Sequence, residues 1–226
     1  MPAPSIADLI GPQLPPEHRE LRAIAVSTLF GAFAREGTSG ALGNDTDSAL
    51  LLALREWADC VLVGAGTVRR EGYKAPRGAV AVVSRSLDFD TTSDFFSGTP
   101  PLIIAAREAL SDPALAPARA RLRAAGAQLV DAASGSARDV VAALHARGLN
   151  RIVCEGGPSL YSALLAADAI DVFHLTVDPS VGPLDGTHLP ALGGAEGDGG
   201  LRRFTLEAVA RTDDSMLFCR YRRSRG

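Results

Sequence analysis

Short runs of apolar residues without alternating polar positions recur along this chain. Three of them are Cys60–Gly64 (CVLVG), Ala79–Ser84 (AVAVVS) and Pro101–Ala106 (PLIIAA). A strand that is covered on both faces carries such a continuous run, as in a mostly parallel sheet. Further strands of this sheet are predicted at Leu21–Phe30, Ala127–Val130, Ile152–Cys154 and Ile170–Val177.

Helices are predicted between these strands. In the segment 47–59, Leu50, Leu54 and Trp57 fall on one helical face, and the polar residues 44–46 before it offer N-terminal caps. A helix that begins at Pro158 suits proline, whose missing N–H would be unpaired at the first helical position. The other predicted helices are Ala114–Ala125 and Ala137–Arg147.

The C-terminal part of the pattern closes the fold. Strands at Phe204–Arg211 and Ser215–Tyr221 flank the turn-forming residues 212–214, which predicts an antiparallel hairpin. Strands that alternate with helices and end in a hairpin indicate a three-layer α/β/α sandwich with a mixed, mostly parallel sheet. We expect an N-terminal arm at residues 1–20, which hold five prolines, and a single domain at 21–226. The glycine-rich stretches 31–43 and 182–200 are predicted loops.

Composition restricts the classes of protein that this chain can represent. Its 226 residues are 46% hydrophobic, and the formal net charge of -3 gives no basic footprint for a nucleic acid. No apolar run approaches the roughly 20 residues that span a membrane, and no signal peptide is evident. The three cysteines, Cys60, Cys154 and Cys219, lie in or beside predicted strands and are typical of buried residues in a reducing compartment. We expect a cytoplasmic protein without nucleic-acid or membrane partners.

Two glycine-rich segments follow predicted strands and are candidate phosphate sites. They are Gly64–Thr67 (GAGT) and Glu155–Ser159 (EGGPS), and both are read as turns. Glycine admits a close ligand, and the free N–H groups of a helix N-terminus favour an anion. The sequence alone leaves open that Gly156 and Gly157 only form a tight turn. The pattern Gly-x-Gly-x-x-Gly is not met, because Arg69 occupies its sixth position, and no Gly-Lys-Ser/Thr of a P-loop is present.

A third candidate phosphate site is Ser84-Arg85-Ser86, directly after a predicted strand. A hydroxyl group and a guanidinium at a strand end suit a phosphomonoester. If the ligand is a nicotinamide dinucleotide, this pair favours the form with a 2′-phosphate. A solvated arginine in a turn is the alternative.

Hydrolytic and metal chemistry have weaker support. The four histidines show no metal-ligand spacing, and no Gly-x-Ser-x-Gly segment is present. Asp45 and Asp47 flank a helix start, where capping explains them. Glu71 follows the GAGT segment and could reach a ligand held there, although a surface carboxylate is equally consistent.

Three segments together resemble the riboflavin-biosynthesis reductase family, which includes the reductase domain of the bifunctional deaminase-reductase and its stand-alone relatives. They are VLVGAGTVRREGY (Val61–Tyr73), VVSRSL (Val82–Leu87) and EGGPSLYSALLAADAIDVFHLTVDPSVG (Glu155–Gly182). The resemblance implies a dihydrofolate-reductase-like fold, NADPH as cofactor and a homodimer. It also implies a small-molecule substrate, a ribosylaminopyrimidine phosphate that is reduced to the ribitylamino compound.

The resemblance also assigns roles to individual residues. The nicotinamide end of the cofactor would be bordered by Gly64, Gly66 and Thr67. Its pyrophosphate would be held by the backbone amides of Gly156, Gly157, Ser159 and Leu160. The 2′-phosphate would meet Ser84 and Arg85, and Glu71 would lie near the substrate as the candidate catalytic acid.

One segment departs from the family pattern. After the first strand the family usually reads Ser-x-x-Asp-Gly, and here Ser27 matches the serine while Phe30 stands at the acidic position. We expect both residues at the substrate site, where a phenyl ring could stack on a flat heterocycle but could not donate a proton. Three functions stay open: reduction of a ribosylaminopyrimidine, NADPH-dependent reduction of another substrate such as a pteridine or imine, and NADP(H) binding without turnover.

Overall fold

The computed structural model describes residues 4–33, 42–70, 73, 76–181 and 203–224. Within this part of the chain, the strands are β1 (Glu20–Thr28), β2 (Cys60–Gly64), β3 (Ala79–Val83), β4 (Leu102–Ala105), β5 (Gln128–Asp131), β6 (Arg151–Gly156), β7 (Val172–Asp178), β8 (Phe204–Arg211) and β9 (Leu217–Arg223). The helices are α1 (Ile6–Ile10), α2 (Asp45–Trp57), α3 (Ala65–Arg70), α4 (Arg107–Ser111), α5 (Ala116–Ala124), α6 (Ala137–His145) and α7 (Pro158–Ala166), with short 3-10 turns at 94–96 and 113–115.

All nine strands join one sheet in the order β5-β4-β3-β2-β6-β1-β7-β9-β8. The seven strands from β5 to β7 are parallel, β9 runs antiparallel to β7, and β8 runs antiparallel to β9. The predicted mixed sheet with a C-terminal hairpin is therefore confirmed. Strand β6 lies between β1 and β2. The strand order reverses at this position, because β2 to β5 follow one another on one side of β6, whereas β1 and β7 lie on the other side.

Helices cover both faces of the sheet. On one face, α1, α2, α3 and α5 enclose a core that includes Leu54, Val63 and Leu122. On the other face, α6 and α7 pack on residues that include Leu62 and Leu164. Because β2 contributes Leu62 to one core and Val63 to the other, its continuous apolar run is explained by burial on both sides.

Several predicted elements needed correction. The GAGT segment is not a turn: Gly64 ends β2, and the chain enters α3 at Ala65 without an intervening loop. The first strand ends at Thr28, so Leu29 and Phe30 lie in the reverse turn that follows, where Gly31 N–H donates to Thr28 O at 3.0 Å. Helices α1, α3 and α4 were not predicted, and they are at most six residues long, too short for a periodic signal.

The segment expected to be an N-terminal arm packs on the sheet and on α2. Leu9 and Ile10 of α1 are buried in the core. Arg22 of β1, with no exposed surface, donates hydrogen bonds to the backbone oxygens of Ile10 and Pro12 and to Glu20. Backbone oxygens from the N-terminal segment thus solvate a buried cation of the sheet.

Cys60 and Cys154 are buried in strands as expected, whereas Cys219 is half-buried. Burial raises the pKa of Cys60 and of Cys154 to about 12, which keeps both thiols protonated. Among the described residues, no helix is long and apolar enough to cross a bilayer.

Candidate active site

A cavity of about 890 Å³ opens where β2, β3 and β6 end, and β1 and one face of α2 complete its walls. Ligands of open α/β sheets bind outside the carboxyl ends of strands, at a point where the strand order reverses. The cavity lies at such a point, because β6 separates β1 from β2. Of the nine residues expected at a cofactor, eight line it: Gly64, Gly66, Thr67, Ser84, Arg85, Gly157, Ser159 and Leu160.

The two glycine-rich segments are in direct contact at this cavity. Gly157 N–H donates to Thr67 Oγ1 at 3.1 Å. A Cβ atom added to Gly157 would lie 2.9 Å from the same oxygen, and one added to Gly64 would lie 3.5 Å from Gly156 O. Position 157 therefore leaves no room for a side chain beside Thr67, whereas a Cβ atom at position 64 would make an ordinary van der Waals contact.

Gly156 has a different role from its neighbour. It is buried, has φ +90° and follows the strand with a cis peptide bond to Gly157. A Cβ atom at this position would overlap the ring of Tyr161, whose hydroxyl donates to Ile24 O. Gly156 is absent from the cavity lining, so the local requirement for glycine comes from backbone conformation and packing.

Helix α7 presents its N-terminus to the cavity. The N–H groups of Leu160 and Tyr161 both donate to Gly157 O, and Pro158 has none. Ser159 N–H has no acceptor within the described part of the chain, and Ser159 is exposed. An unpaired N–H at the positive end of a helix dipole favours an anion.

Ser84 and Arg85 occupy the end of β3 with different surroundings. Ser84 is buried, and its Oγ accepts the N–H of Leu87 at 3.0 Å, which fixes the turn after the strand. Arg85 is exposed and has neither a carboxylate nor a hydrogen-bond acceptor among the described residues. Its guanidinium is therefore free to bind an anion.

A hydrogen-bonded group at the base of the cavity joins α2, β6 and Tyr73. Arg55 donates to both carboxylate oxygens of Glu155, at 2.6 and 2.7 Å, and Tyr73 Oη donates to Glu155 Oε2 at 2.6 Å. The hydrogen bond to Glu155 raises the pKa of Arg55, while burial, reinforced by the Glu155 charge, raises the pKa of Tyr73. Glu155 is thus held by three donors and is 7% exposed.

Asp47 lies on the cavity face of α2, one turn from Leu51 and two turns from Arg55. Its Oδ1 accepts the hydroxyl hydrogen of Thr176 at 2.5 Å. Burial raises the pKa of this carboxyl; the Thr176 hydrogen bond lowers it, and the charge of Asp178 raises it further. The helix cap is Asn44, whose Oδ1 accepts Asp47 N–H at 3.0 Å, so capping does not explain the Asp47 carboxyl.

Two of the three residues expected at the substrate are not part of this lining. Ser27 is buried within β1, and Phe30 is 70% exposed in the turn after it. Neither belongs to the cavity that the described residues form. Glu71 lies outside the described residues, as does the predicted loop 182–200.

Four residues of the cavity lining are not predicted from the sequence: Asp47, Arg55, Tyr73 and Glu155. A signal existed in α2, where Asp47, Leu51 and Arg55 follow each other at a spacing of four and form a stripe beside the apolar face. Glu155 was part of the EGGPS segment, but its partners lie 82 and 100 positions away in the chain. Spacing along the chain could not show those contacts.

The three-layer architecture and the position of the cavity define a dihydrofolate-reductase-like α/β protein. The dihydrofolate reductase of Enterococcus faecalis, described in complex with NADP(H), superposes with a TM-score of 0.53 over 91% of this chain and 97% of that one, at 16% identity. The chain belongs to the family of the RibD C-terminal domain, whose model matches residues 21–218.

Two further structures resemble this chain. A pyrimidine reductase-like protein from Corynebacterium diphtheriae is 31% identical, with a TM-score of 0.78 over 92% of this chain and 93% of that one. The deaminase/5-amino-6-(5-phosphoribosylamino)uracil reductase of Thermotoga maritima is 19% identical, with a TM-score of 0.68 over 92% of this chain and 57% of that one. No curated protein sequence gives a significant match. The family supports a reductase of the riboflavin-biosynthesis type.

Proposed function

We propose that the protein is an NADPH-dependent reductase of a ribosylaminopyrimidine phosphate such as 5-amino-6-(5-phosphoribosylamino)uracil. The observation that carries the proposal is the contact between Gly157 and Thr67, which brings both glycine-rich segments to one cavity. The family and the substrate named for the Thermotoga maritima relative support the same reaction type.

The cavity suits a phosphorylated dinucleotide along one side. Gly64, Gly66 and Thr67 would border the nicotinamide, and Gly157, Ser159 and Leu160 the pyrophosphate, with Gly156 shaping the corner behind them. The unpaired Ser159 N–H and the unpaired Arg85 guanidinium fit two separate phosphate groups. Ser84 would support Arg85 by fixing its turn. When bound, NADPH supplies the hydride.

The chain's own residues would orient the substrate and exclude water. In the proposed reaction a carbon–nitrogen double bond is reduced, so the nitrogen must receive a proton. We propose Glu71, which follows the GAGT segment, as its source. Single-turnover NADPH oxidation by Glu71→Gln tests this role: a rate loss of at least 100-fold is expected, and an unchanged rate removes Glu71 from the reaction.

A second candidate function is NADPH-dependent reduction of another heterocycle, such as a pteridine. It is favoured by Phe30 at the acidic position of the family pattern and by the carboxyl of Asp47 at the cavity. A panel of ribosylaminopyrimidine, pteridine and imine substrates separates the two functions by which compound drives NADPH oxidation. Binding of NADPH that is not oxidised in the presence of any of these compounds would instead favour a sensor.

The cofactor proposal is tested by calorimetric titration with NADPH and NADH. We expect NADPH to bind at least tenfold more tightly than NADH, because Arg85 meets the 2′-phosphate. Arg85→Ala should remove this preference. The matched control Arg77→Ala changes an exposed arginine outside the cavity lining and should preserve it. Equal binding of both dinucleotides by the wild type would contradict the 2′-phosphate assignment.

We also propose a cytoplasmic homodimer. Leu206, Val209 and Leu217 of the C-terminal hairpin are between 38% and 57% exposed and offer apolar surface for a second copy. Sedimentation equilibrium should give a mass near twice that of the 23.5 kDa chain, and Val209→Asp should shift it toward the monomer. A monomeric wild type would contradict this part.

A further inference from the structure

A second cavity, of about 120 Å³, lies between the helices α1 and α2 and the strands β7, β8 and β9. Among the described residues, it shares no lining residue with the cavity at the strand ends. A protein cavity of about 150 Å³ can hold benzene, so this one suits a ligand of at most about six non-hydrogen atoms. Its lining is mostly apolar and includes Leu9, Leu50, Ala208, Ala210 and Phe218.

His174 gives this cavity a buried polar group. It lies on β7, is 2% exposed, and its Nε2 has no hydrogen-bond partner within the described part of the chain. The ring is neutral at pH 7, because burial and the charges of three nearby arginines lower its pKa to about 3. A neutral imidazole has one N–H donor and one acceptor. Because buried polar groups are normally hydrogen-bonded, this ring favours a ligand that supplies a partner.

Arg220 brings a guanidinium to the same cavity and is 9% exposed. Its Nη1 donates to the backbone oxygens of Asp8 and Leu9, and its Nε donates to Glu207. Its Nη2 has no acceptor among the residues that the structure describes. The carboxylate of Asp8, which also lines the cavity, is exposed to solvent and accepts the Ser5 hydroxyl hydrogen at 2.6 Å. The guanidinium thus holds α1 in place and keeps N–H groups for a ligand.

The charges beside this cavity favour an anion. In the described part of the chain, Arg22, Arg220 and Arg222 form ion pairs with two glutamates, Glu20 and Glu207. Three cations therefore share two carboxylates, which leaves one positive charge in the group. Buried charges are normally paired, and Arg220 is the arginine of this group that lines the cavity. An anionic ligand there would balance the group.

We propose that this cavity is a second ligand site, which takes a short-chain carboxylate no larger than butyrate. The carboxylate accepts hydrogen bonds from Arg220 Nη2 and from the His174 ring, and the alkyl chain packs against Leu50 and Phe218. Apolar walls with a few polar groups are typical of sites for small organic ligands. The proposal goes beyond the reductase function and does not depend on it, because the described residues that line the two cavities are different.

The experiment compares propionate with propionamide, two probes with the same number of non-hydrogen atoms that differ in charge. Each is titrated into the full-length protein, and NMR follows the ring signals of His174. We expect propionate to bind at least tenfold more tightly than propionamide, because only the carboxylate pairs with the Arg220 guanidinium. Inorganic phosphate, which has no alkyl chain, should bind more weakly than propionate. Equal binding of propionate and propionamide, or tighter binding of phosphate at His174, overturns the inference.

Two variants locate the propionate, with calorimetry as the measurement. Ala208→Leu adds three carbons to the lining and should weaken propionate binding at least tenfold, whereas Ala142→Leu is the matched control at an exposed position of α6 outside both linings. His174→Phe keeps a ring without the N–H and should weaken binding at least threefold. Wild-type affinity in Ala208→Leu would place the ligand elsewhere and overturn the inference. The comparison of probes on the wild type stands even if a variant fails to fold.

Discussion

Gly157 and Thr67, ninety positions apart in the chain, are joined by a hydrogen bond of 3.1 Å from the Gly157 N–H to Thr67 Oγ1. The contact links the start of α3 to the corner before α7, across the neighbouring ends of β2 and β6. It makes the two glycine-rich segments one continuous surface of the cavity. The geometry of this surface depends on the absence of a side chain at position 157.

Replacing Gly157 by alanine should weaken dinucleotide binding. The added Cβ atom would lie 2.9 Å from Thr67 Oγ1, so the Thr67 hydroxyl must move and its hydrogen bond to Gly157 N–H is disturbed. We expect the Kd for NADPH, measured by calorimetry, to rise at least tenfold. Gly78→Ala is the control, since a Cβ atom there meets nothing within 4 Å. An unchanged Kd in Gly157→Ala would show that this corner does not hold the cofactor.

The ion pair between Arg55 and Glu155 should contribute strongly to stability. In Arg55→Met, Glu155 keeps only the Tyr73 donor while it is 7% exposed. Breaking a fully buried pair usually costs about 3–5 kcal/mol. The Arg55 side chain is 20% exposed, so we expect a somewhat smaller loss of about 2–4 kcal/mol in the free energy of unfolding. Urea denaturation of the wild type and Arg55→Met measures this loss. Arg107→Met breaks the exposed pair with Asp131 and should destabilise the protein much less than Arg55→Met does.

Arg22 should be still less tolerant of substitution. Arg22→Met would remove the donor to two backbone oxygens and to Glu20, all at a site without solvent access for the arginine. A loss of about 3–5 kcal/mol is expected in the same denaturation assay. The comparison is Arg147→Met: Arg147 is exposed, follows α6 and donates to one of its carbonyls, so the change should alter stability by less than about 0.5 kcal/mol. Similar losses in both variants would refute the role given to Arg22.

His174 should make stability depend on acid pH. It is 2% exposed in β7, and burial, aided by the charges of Arg22, Arg220 and Arg222, lowers its pKa to about 3. The unfolded chain has a histidine pKa of about 6.5 and therefore binds more protons below that value. The stabilisation by neutral His174 is present above pH 6.5 and is lost as pH falls toward 3.

The measurement compares free energies of unfolding at pH 7.5 and pH 5. Over this interval the wild type should lose about 2 kcal/mol more than His174→Gln, at about 1.4 kcal/mol per pH unit below 6.5. His18→Gln is the control, because the His18 side chain is 56% exposed. Parallel pH profiles for the wild type and His174→Gln would contradict the depressed pKa.

The sheet could be predicted from the sequence because its strands carry their signal locally. The unbroken run from Cys60 to Gly64 results from burial on both faces, and Pro158 begins a helix, a position that its missing N–H suits. In the GAGT segment glycine signals a turn, but the structure has a helix there, because burial of Ala65 and Val68 outweighs a helix penalty of about 1 kcal/mol per glycine.

The Asp47 carboxyl of the cavity lining could not be predicted in the same way. Asp47 stands in the first turn of a helix, where a carboxylate needs no further explanation. Its partner Thr176 is 129 positions away, on a strand that only the sheet order brings beside α2. The meaning of such a residue depends on long-range contacts, and a single sequence does not record them.

Two of the oxygens that surround Arg22 come from residues that precede the stretch shared with the family. The stretch that this chain shares with its family starts at residue 21, yet Ile10 and Pro12 supply part of the arginine's solvation. A protein trimmed to the shared stretch would retain the guanidinium and lose those acceptors. The stretch that the family model matches and the stretch that folds by itself are therefore different here. The second extends further toward the N-terminus.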